Sequence, residues 1–293
     1  MRYAFYKLIN KLGYKIENRN NIKLNKINSL KKFHVISNHD LLYNAQEFVF
    51  KLEKEFSDFR IESHEEGFLV YFFNLKIYVE SVEEFYILSE VFIEKDYNFI
   101  TSEKVVIVDI GTNIGIASLF FSAMENVEKI YSFEPVLQTY NQAKLNFENN
   151  SISKKIAVFS NFGLGKNNRE ETFIFDKKVK GNTGVRGKLS NSYANNADVE
   201  LAQVIIKNAS EEFNTIINQN PNKKIVVKMD CEGAEYEIFE SLSNEILQSV
   251  SIFMIEWHDK GSDVIVQKLL ENNFNIFLRE LAPNAGIIYA SKY

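Results

Sequence analysis

The sequence is short of the residues that staple, stop or span. A single cysteine, Cys231, stands in 293 residues, which excludes an internal disulfide and a cysteine-built zinc site and suits a reducing compartment. Proline occurs three times, at Pro135, Pro221 and Pro283. No apolar run approaches the ~18 residues that a membrane-spanning helix needs. The N-terminus is not read as a secretion signal, because lysines interrupt its apolar positions and no small-residue cleavage site follows. No internal repeat or low-complexity tract appears. What remains is ordinary for a globular protein, with 45% hydrophobic and 25% charged residues, although aromatics are frequent at 25 Phe and 14 Tyr. The length suits one large domain with an appendage.

Charge is unevenly spread. Residues 1–33 carry nine basic side chains against one acid, a net +8, which leaves −13 for the rest of a chain whose total is −5. Residues 2–16 have helical apolar spacing at Phe5, Leu8, Ile9, Leu12 and Ile16, with Lys7, Lys11 and Lys15 opposite. Such a helix can lie on an anionic membrane surface, or pack on its own domain or on a second copy in a homo-oligomer; amphipathic helices more often face a protein core. The reading is therefore a cytoplasmic protein with a peripheral inner-membrane contact through residues 1–16 as one alternative. The acidic body lacks the basic groove expected of a nucleic-acid partner.

The chain divides into a basic segment and linker (1–40), a helix–hairpin–helix extension (41–100) and an α/β domain (101–293). The extension reads as a helix over 41–56, a hairpin over 60–79 and a helix over 82–93. The α/β domain opens on Val105 to Asp109, a near-continuous apolar run that reads as a strand buried on both faces. A turn follows, Gly111-Thr112-Asn113-Ile114-Gly115, then a helix and a second strand ending at Glu134. Glycines allow a ligand to approach the backbone, a helix N-terminus offers free N–H groups, and a carboxylate at the second strand tip can accept both hydroxyls of a ribose.

The details favour one adenosine cofactor. Asn113 and Ile116 stand where a dinucleotide fingerprint wants glycine, and Asp109 places negative charge where phosphates would lie. S-adenosylmethionine, with a sulfonium, an amino group and no phosphate, tolerates that charge. The predicted cofactor residues are Asp109, Gly111, Asn113, Gly115, Glu134, Asn161, Phe162 and Gly163. Further strands end at Asp230 and at Glu256-Trp257-His258-Asp259, and strand tips in an open α/β sheet converge on one crevice. An alcohol acceptor needs a base or a metal. His258 is the natural base by intrinsic pKa, with Asp230 and Glu256 beside it. A divalent ion on Asp230 with Glu256 or Asp259 is an open but less favoured alternative. Glu232 and Glu235 read as favourable charge in the first turn of a helix. Residues 176–198, rich in Lys, Gly, Asn and Ser, read either as a lid whose Arg186 and Lys188 meet an anionic acceptor or as a plain surface loop.

The D-I-G-T-N-I-G of Asp109 to Gly115, the F-E-P of Phe133 to Pro135, the K-M-D-C-E-G-A-E of Lys228 to Glu235 and the I-E-W-H of Ile255 to His258 resemble the FkbM family of S-adenosylmethionine-dependent methyltransferases. The resemblance implies the class I methyltransferase (Rossmann-like) fold, a seven-stranded sheet ordered 3-2-1-4-5-7-6 with strand 7 antiparallel. It also implies O-methylation, often of a saccharide, glycolipid or polyketide. The leading expectation is methyl transfer to a surface saccharide or its lipid-linked precursor. The alternatives are a small-molecule natural product as acceptor, or a catalytically silent partner subunit.

Overall fold

In a computed structural model the strand Val105–Ile110 (β4) is buried at all six positions, as its unbroken apolar run requires. Residues 26–151, 155–176, 180 and 199–292 are described by the structure. The N-terminal amphipathic helix, Arg186 and Lys188 fall outside these residues. No described helix is long and apolar enough to cross a membrane.

β4 lies inside a seven-stranded sheet with Val127–Phe133 (β5), Ile156–Ser160 (β6), Lys224–Met229 (β10), Val250–His258 (β11), Asn275–Ala282 (β12) and Ala285–Ser291 (β13). The spatial order is β12-β13-β11-β10-β4-β5-β6. β13 runs antiparallel to both its neighbours, and the other strands are parallel. Counted along the chain, this is the 3-2-1-4-5-7-6 order that the family resemblance implied.

Side chains alternate across the sheet, so β4 feeds two cores. Val105 and Ile107 join one with Ile116–Ser122 (α4), while Val106, Val108 and Ile110 join the other with Ala209–Gln219 (α6) and Glu235–Ser241 (α7). Register then sets the chemistry at the strand tips. Ser132, Asp109, Lys228 and Met254 lie in one cross-strand row, which brings Lys228 Nζ within 3.5 Å of Asp109 Oδ1.

The extension departs from expectation in two places. One helix was expected over 41–56, and the structure has two, His39–Asn44 (α1) and Gln46–Glu55 (α2). The Gln46 side chain donates to the Tyr43 carbonyl (2.7 Å), and the backbone leaves the helical track at Ala45. The expected hairpin is a three-stranded meander, Arg60–His64 (β1), Gly67–Phe72 (β2) and Leu75–Val79 (β3), because the chain also turns at Glu65, in the left-handed region at φ 47°. Val82–Ser89 (α3) follows, capped by the Ser81 hydroxyl, and runs into a wider turn at Glu90–Glu94.

The extension is continuous with the main fold. Phe68, Phe72, Phe85 and Phe92 share one apolar cluster with Ile107 and Leu119. The outer edge of β3 is closed by amides from Leu137–Asn149 (α5) and the residue after it. Asn146 and Asn150 accept from the N–H groups of Tyr78 (2.7 Å) and Lys76 (2.8 Å), and Gln142 donates to the Tyr78 carbonyl (3.2 Å). Without these partners the open strand edge would be left unsatisfied.

A second small sheet, Gly163–Gly165 (β7), Arg169–Asp176 (β8) and Val199–Asn208 (β9), stands beside the tip of β6. β9 was missed because Leu201 and Ile205 are exposed apolar residues on the face opposite Ala202, Val204 and Ile206, which blurs the alternation.

Candidate active site

The turn after β4 is held by its own neighbours. The N–H groups of Gly111 and Thr112 both donate to the Phe133 carbonyl (3.1 Å each), and the Thr112 hydroxyl accepts from the Phe133 N–H (3.1 Å). Gly111 is at φ 75°, and a Cβ there would stand 1.8 Å from the Asp230 carbonyl oxygen. A Cβ on Gly115, at φ 90°, would meet the Phe147 ring at 2.6 Å. Both glycines thus permit close approach of the chain to itself.

Glu134, at the tip of β5, accepts from the Asn113 N–H (3.0 Å) and the Val136 N–H (2.9 Å). Burial nevertheless pushes its pKa up to about 7, against the relief from those two donors. It lines a narrow slot of about 60 Å³ with Asn113, Gly111, Gly163, Phe173 and Lys180. Small-molecule sites usually hold about 300 Å³ or more. Phe173 and Lys180 close the slot against the strand tips, which keeps it below that size.

Asp109 faces neither this slot nor the larger cavity beside it. It is fully buried, accepts from the Ser118 hydroxyl (2.6 Å) and pairs with Lys228, so it fixes α4 to the sheet. Asn161 and Phe162 also turn away from both cavities. The Asn161 amide donates to the carbonyls of Glu134 and Pro135 (3.0 Å each) and so clamps the β5 tip, and Phe162 packs on Phe133 with Lys207 over its ring. Of the predicted cofactor residues, Gly111, Asn113, Glu134 and Gly163 reach the slot.

The larger cavity, about 850 Å³, adjoins the slot at Asn113, Asp230 and Glu232. Asp230, Glu256 and His258 meet there, with ligand atoms all within 4.8 Å of one another. Tyr97 closes the group, its hydroxyl 3.1 Å from Asp230 Oδ2 and 3.2 Å from Glu256 Oε2. A divalent ion on this wall would meet the carboxylates of Asp230 and Glu256, with His258 joining only as a neutral ring. Asp259, placed in the candidate metal set from sequence, is outside that trio, and its backbone N–H donates to the Asn284 carbonyl.

His258 is buried, with Nδ1 3.1 Å from Glu235 and Nε2 3.4 Å from Glu256 and 3.9 Å from Glu232. Burial alone would lower its pKa. The bonds to Glu235 and Glu256 and the charge of Glu232 outweigh burial and push it up to about 11. These partners favour the charged ring, which weighs against the role of base expected for His258 and turns attention to the carboxylates beside it. Burial and the charge of Asp230 raise the Glu256 pKa, which strengthens Glu256 as a proton acceptor.

Glu235 is more than a charge in a first turn. Fully buried, it accepts from the N–H groups of Cys231 (3.2 Å) and Gly233 (2.9 Å) and so shapes the loop after β10, where Glu232 and Gly233 have positive φ. Lys228 donates to the Gly111 carbonyl (2.7 Å), which ties the β10 tip to the glycine turn.

A family model described as the methyltransferase FkbM domain matches residues 109–276. The chain belongs to the FkbM methyltransferase family. "Methyltransferase 1" of Beauveria bassiana is 26% identical over 199 residues, 63% of this chain and 78% of that protein. A crystal structure of methyltransferase FkbM from Methylobacillus flagellatus KT aligns with 92% of this chain and 58% of its own, at 12% identity and a TM-score of 0.45. M. capricolum TrmK, solved in complex with S-adenosyl-homocysteine, aligns with 68% of this chain and 66% of its own, at 12% identity and a TM-score of 0.37. The chain spans less than two thirds of those two structures' own length.

The FkbM segment carries the glycine turn, Glu134, Asp230, Glu256 and His258. Tyr97 lies outside it, and so do Phe48, Glu83, Tyr86 and Glu90 on the opposite cavity wall. Sequence reading missed all five, because the motifs of an FkbM domain begin after them. The signal available was the apolar and acidic face of α3.

Proposed function

We propose that this FkbM protein is an S-adenosylmethionine-dependent O-methyltransferase acting on a hydroxyl of a saccharide, such as a surface polysaccharide, a glycolipid or a lipid-linked precursor. The observation that carries the reading is the junction of slot and cavity at Asn113 and Asp230. It joins a ribose-type carboxylate to a chamber lined with carboxylates and aromatic rings, the groups that accept sugar hydroxyls and stack on sugar faces. Glu134 would hold the ribose of the cofactor, and Asn113 would face it from the glycine turn. The cofactor supplies a methyl group on a sulfonium, open to in-line displacement.

The rest is positioning and proton transfer by the chain. Asp230 and Glu256 converge where the acceptor hydroxyl enters, and either carboxylate can take its proton. The Tyr97 hydroxyl holds both in place; burial and the Asp230 charge push its own pKa well up, so it keeps its proton. The His258 imidazolium balances Glu232, Glu235 and Glu256. Isothermal titration with S-adenosylmethionine and S-adenosylhomocysteine tests the cofactor, and a silent subunit would bind neither. Mass spectrometry of surface glycans with and without the protein tests the acceptor, through a mass difference of one CH₂.

A further inference from the structure

We propose that two copies of this chain pair through the free edges of β12, antiparallel and centred on Leu278, so that the seven-stranded sheet of one copy continues into that of the other. The inference stands apart from the methyltransferase reading and concerns a different face of the molecule.

β12 is the last strand of the sheet and is paired on one side alone, with β13. Among the described residues, no strand and no side chain bonds its outer backbone groups. Sheet edges in proteins that stay single are usually covered, or blunted by an outward lysine or a proline. The chain does cover another edge, with the amides that close β3. The run Ile276-Phe277-Leu278-Arg279-Glu280 has neither device, since its one cation, Arg279, is turned onto Asp96 (2.6 Å). A register shift between Glu280 and Ala282 ends the straight run there.

The composition is that of an inner strand, apolar on both faces at Ile276, Phe277 and Leu278. Phe277 is nevertheless 64% exposed and Leu278 45%. On the Phe277 side, Phe99, Ile100, Phe277 and Tyr289 line an open groove of about 450 Å³, and Ile100 is 88% exposed.

The sequence of the strand selects its own copy as the partner, in one register. About a twofold axis, each residue meets the one that mirrors it across the centre. Centring on Arg279 or Glu280 would oppose like charges. Centring on Phe277 would set Glu280 against Phe274, which is buried and precedes the strand. Centring on Leu278 uses Ile276 to Glu280, the whole straight run, and keeps like charges apart. Leu278 then meets Leu278 of the second copy, each Phe277 lies along the stem of the other copy's Arg279, and the two Phe277 rings become diagonal neighbours. Leu281 and Ala282 line the larger cavity, so the start of the second copy's β12 borders its mouth.

Analytical ultracentrifugation of the full chain from about 1 to 100 μM reads the assembly, because interfaces of standard size reach micromolar affinity or better. A closed monomer–dimer equilibrium is expected. Leu278→Arg opposes two cations across the axis and should weaken the dimer at least about tenfold, with circular dichroism checking that the variant is folded. Leu278→Cys should link two chains by a disulfide under mild oxidation, because directly opposite Cβ atoms stand about 4.5–5.5 Å apart, and Glu280→Cys should not. A monomer at every concentration, a dimer indifferent to Leu278→Arg, an open-ended polymer, or a Glu280→Cys link as strong as that of Leu278→Cys would each overturn the proposal.

Discussion

Replacing Glu134 by Gln separates what this carboxylate costs the fold from what it gives the cofactor. Its pKa rises from an ordinary 4.5 to about 7 on folding. For an acid raised in this way the charged form is disfavoured in the folded state, so stability falls as pH rises from 4.5 to about 7 and stays reduced above it. The full cost is about 3 kcal/mol, as an order of magnitude, of which about 2 kcal/mol accrues between about pH 5.5 and about pH 8. Gln carries no charge and is free of that term. It has only one acceptor oxygen, so either the Asn113 or the Val136 N–H loses its partner, which costs about 1–3 kcal/mol at every pH. The absolute change in stability is thus a small difference of two terms, whereas its pH dependence isolates the charge. Relative to the unaltered protein, Glu134→Gln should gain about 2 kcal/mol between the two pH values, or about 4–8 °C in melting temperature. Thermal melts of both proteins across the range measure it. S-adenosylhomocysteine binding by the variant should weaken about tenfold or more, since the ribose loses a charged acceptor. Parallel melting curves would refute the raised pKa, and undiminished binding would refute the role of Glu134 at the ribose.

His258 should remain doubly protonated to about pH 8, read from its ring nitrogen shifts, and a ring titrating near 6.5 would contradict the three-carboxylate setting. Its contribution to stability is whole below pH 6.5, declines above that and is gone as pH passes about 11. His258→Ala, which strands Glu235 and Glu256 without their cation, should cost about 3–5 kcal/mol in urea denaturation at neutral pH and should abolish turnover. Gly111→Ala drives a Cβ onto the Asp230 carbonyl in a left-handed conformation and should cost at least about 3 kcal/mol; a variant as stable as the parent would mean that the turn is looser than described.

The main fold was legible because its signals are local. β4 announced itself as an unbroken apolar run, and the residues at the tips of β5, β10 and β11 followed from the strand pattern. Glu134, Asp230 and Glu256 were therefore found from the sequence. The properties that depend on distant partners were not. The charge state of His258 is set by Glu232 and Glu235 from the loop after β10 and by Glu256 from its own strand, and no window of sequence shows them converging. Asp109 looks like a ligand from its place beside the glycine turn, yet register with β10 spends it on Lys228. Tyr97 precedes Asp230 by 133 residues and lies beyond every motif.

That distance bears on how the two halves of the site work together. Lys180 lines the slot, and its ammonium bonds Glu80, Glu84 and Gln142 while itself buried. Glu84 belongs to the first turn of α3, the same helix whose Glu83 and Tyr86 line the larger cavity. Displacing Lys180 would strand the buried Glu84 carboxylate without its counter-charge, which is costly. The extension is therefore built into the site: amides of α5 close the edge of its β3, its Tyr97 bonds both Asp230 and Glu256, and its Glu80 and Glu84 hold Lys180 at the slot.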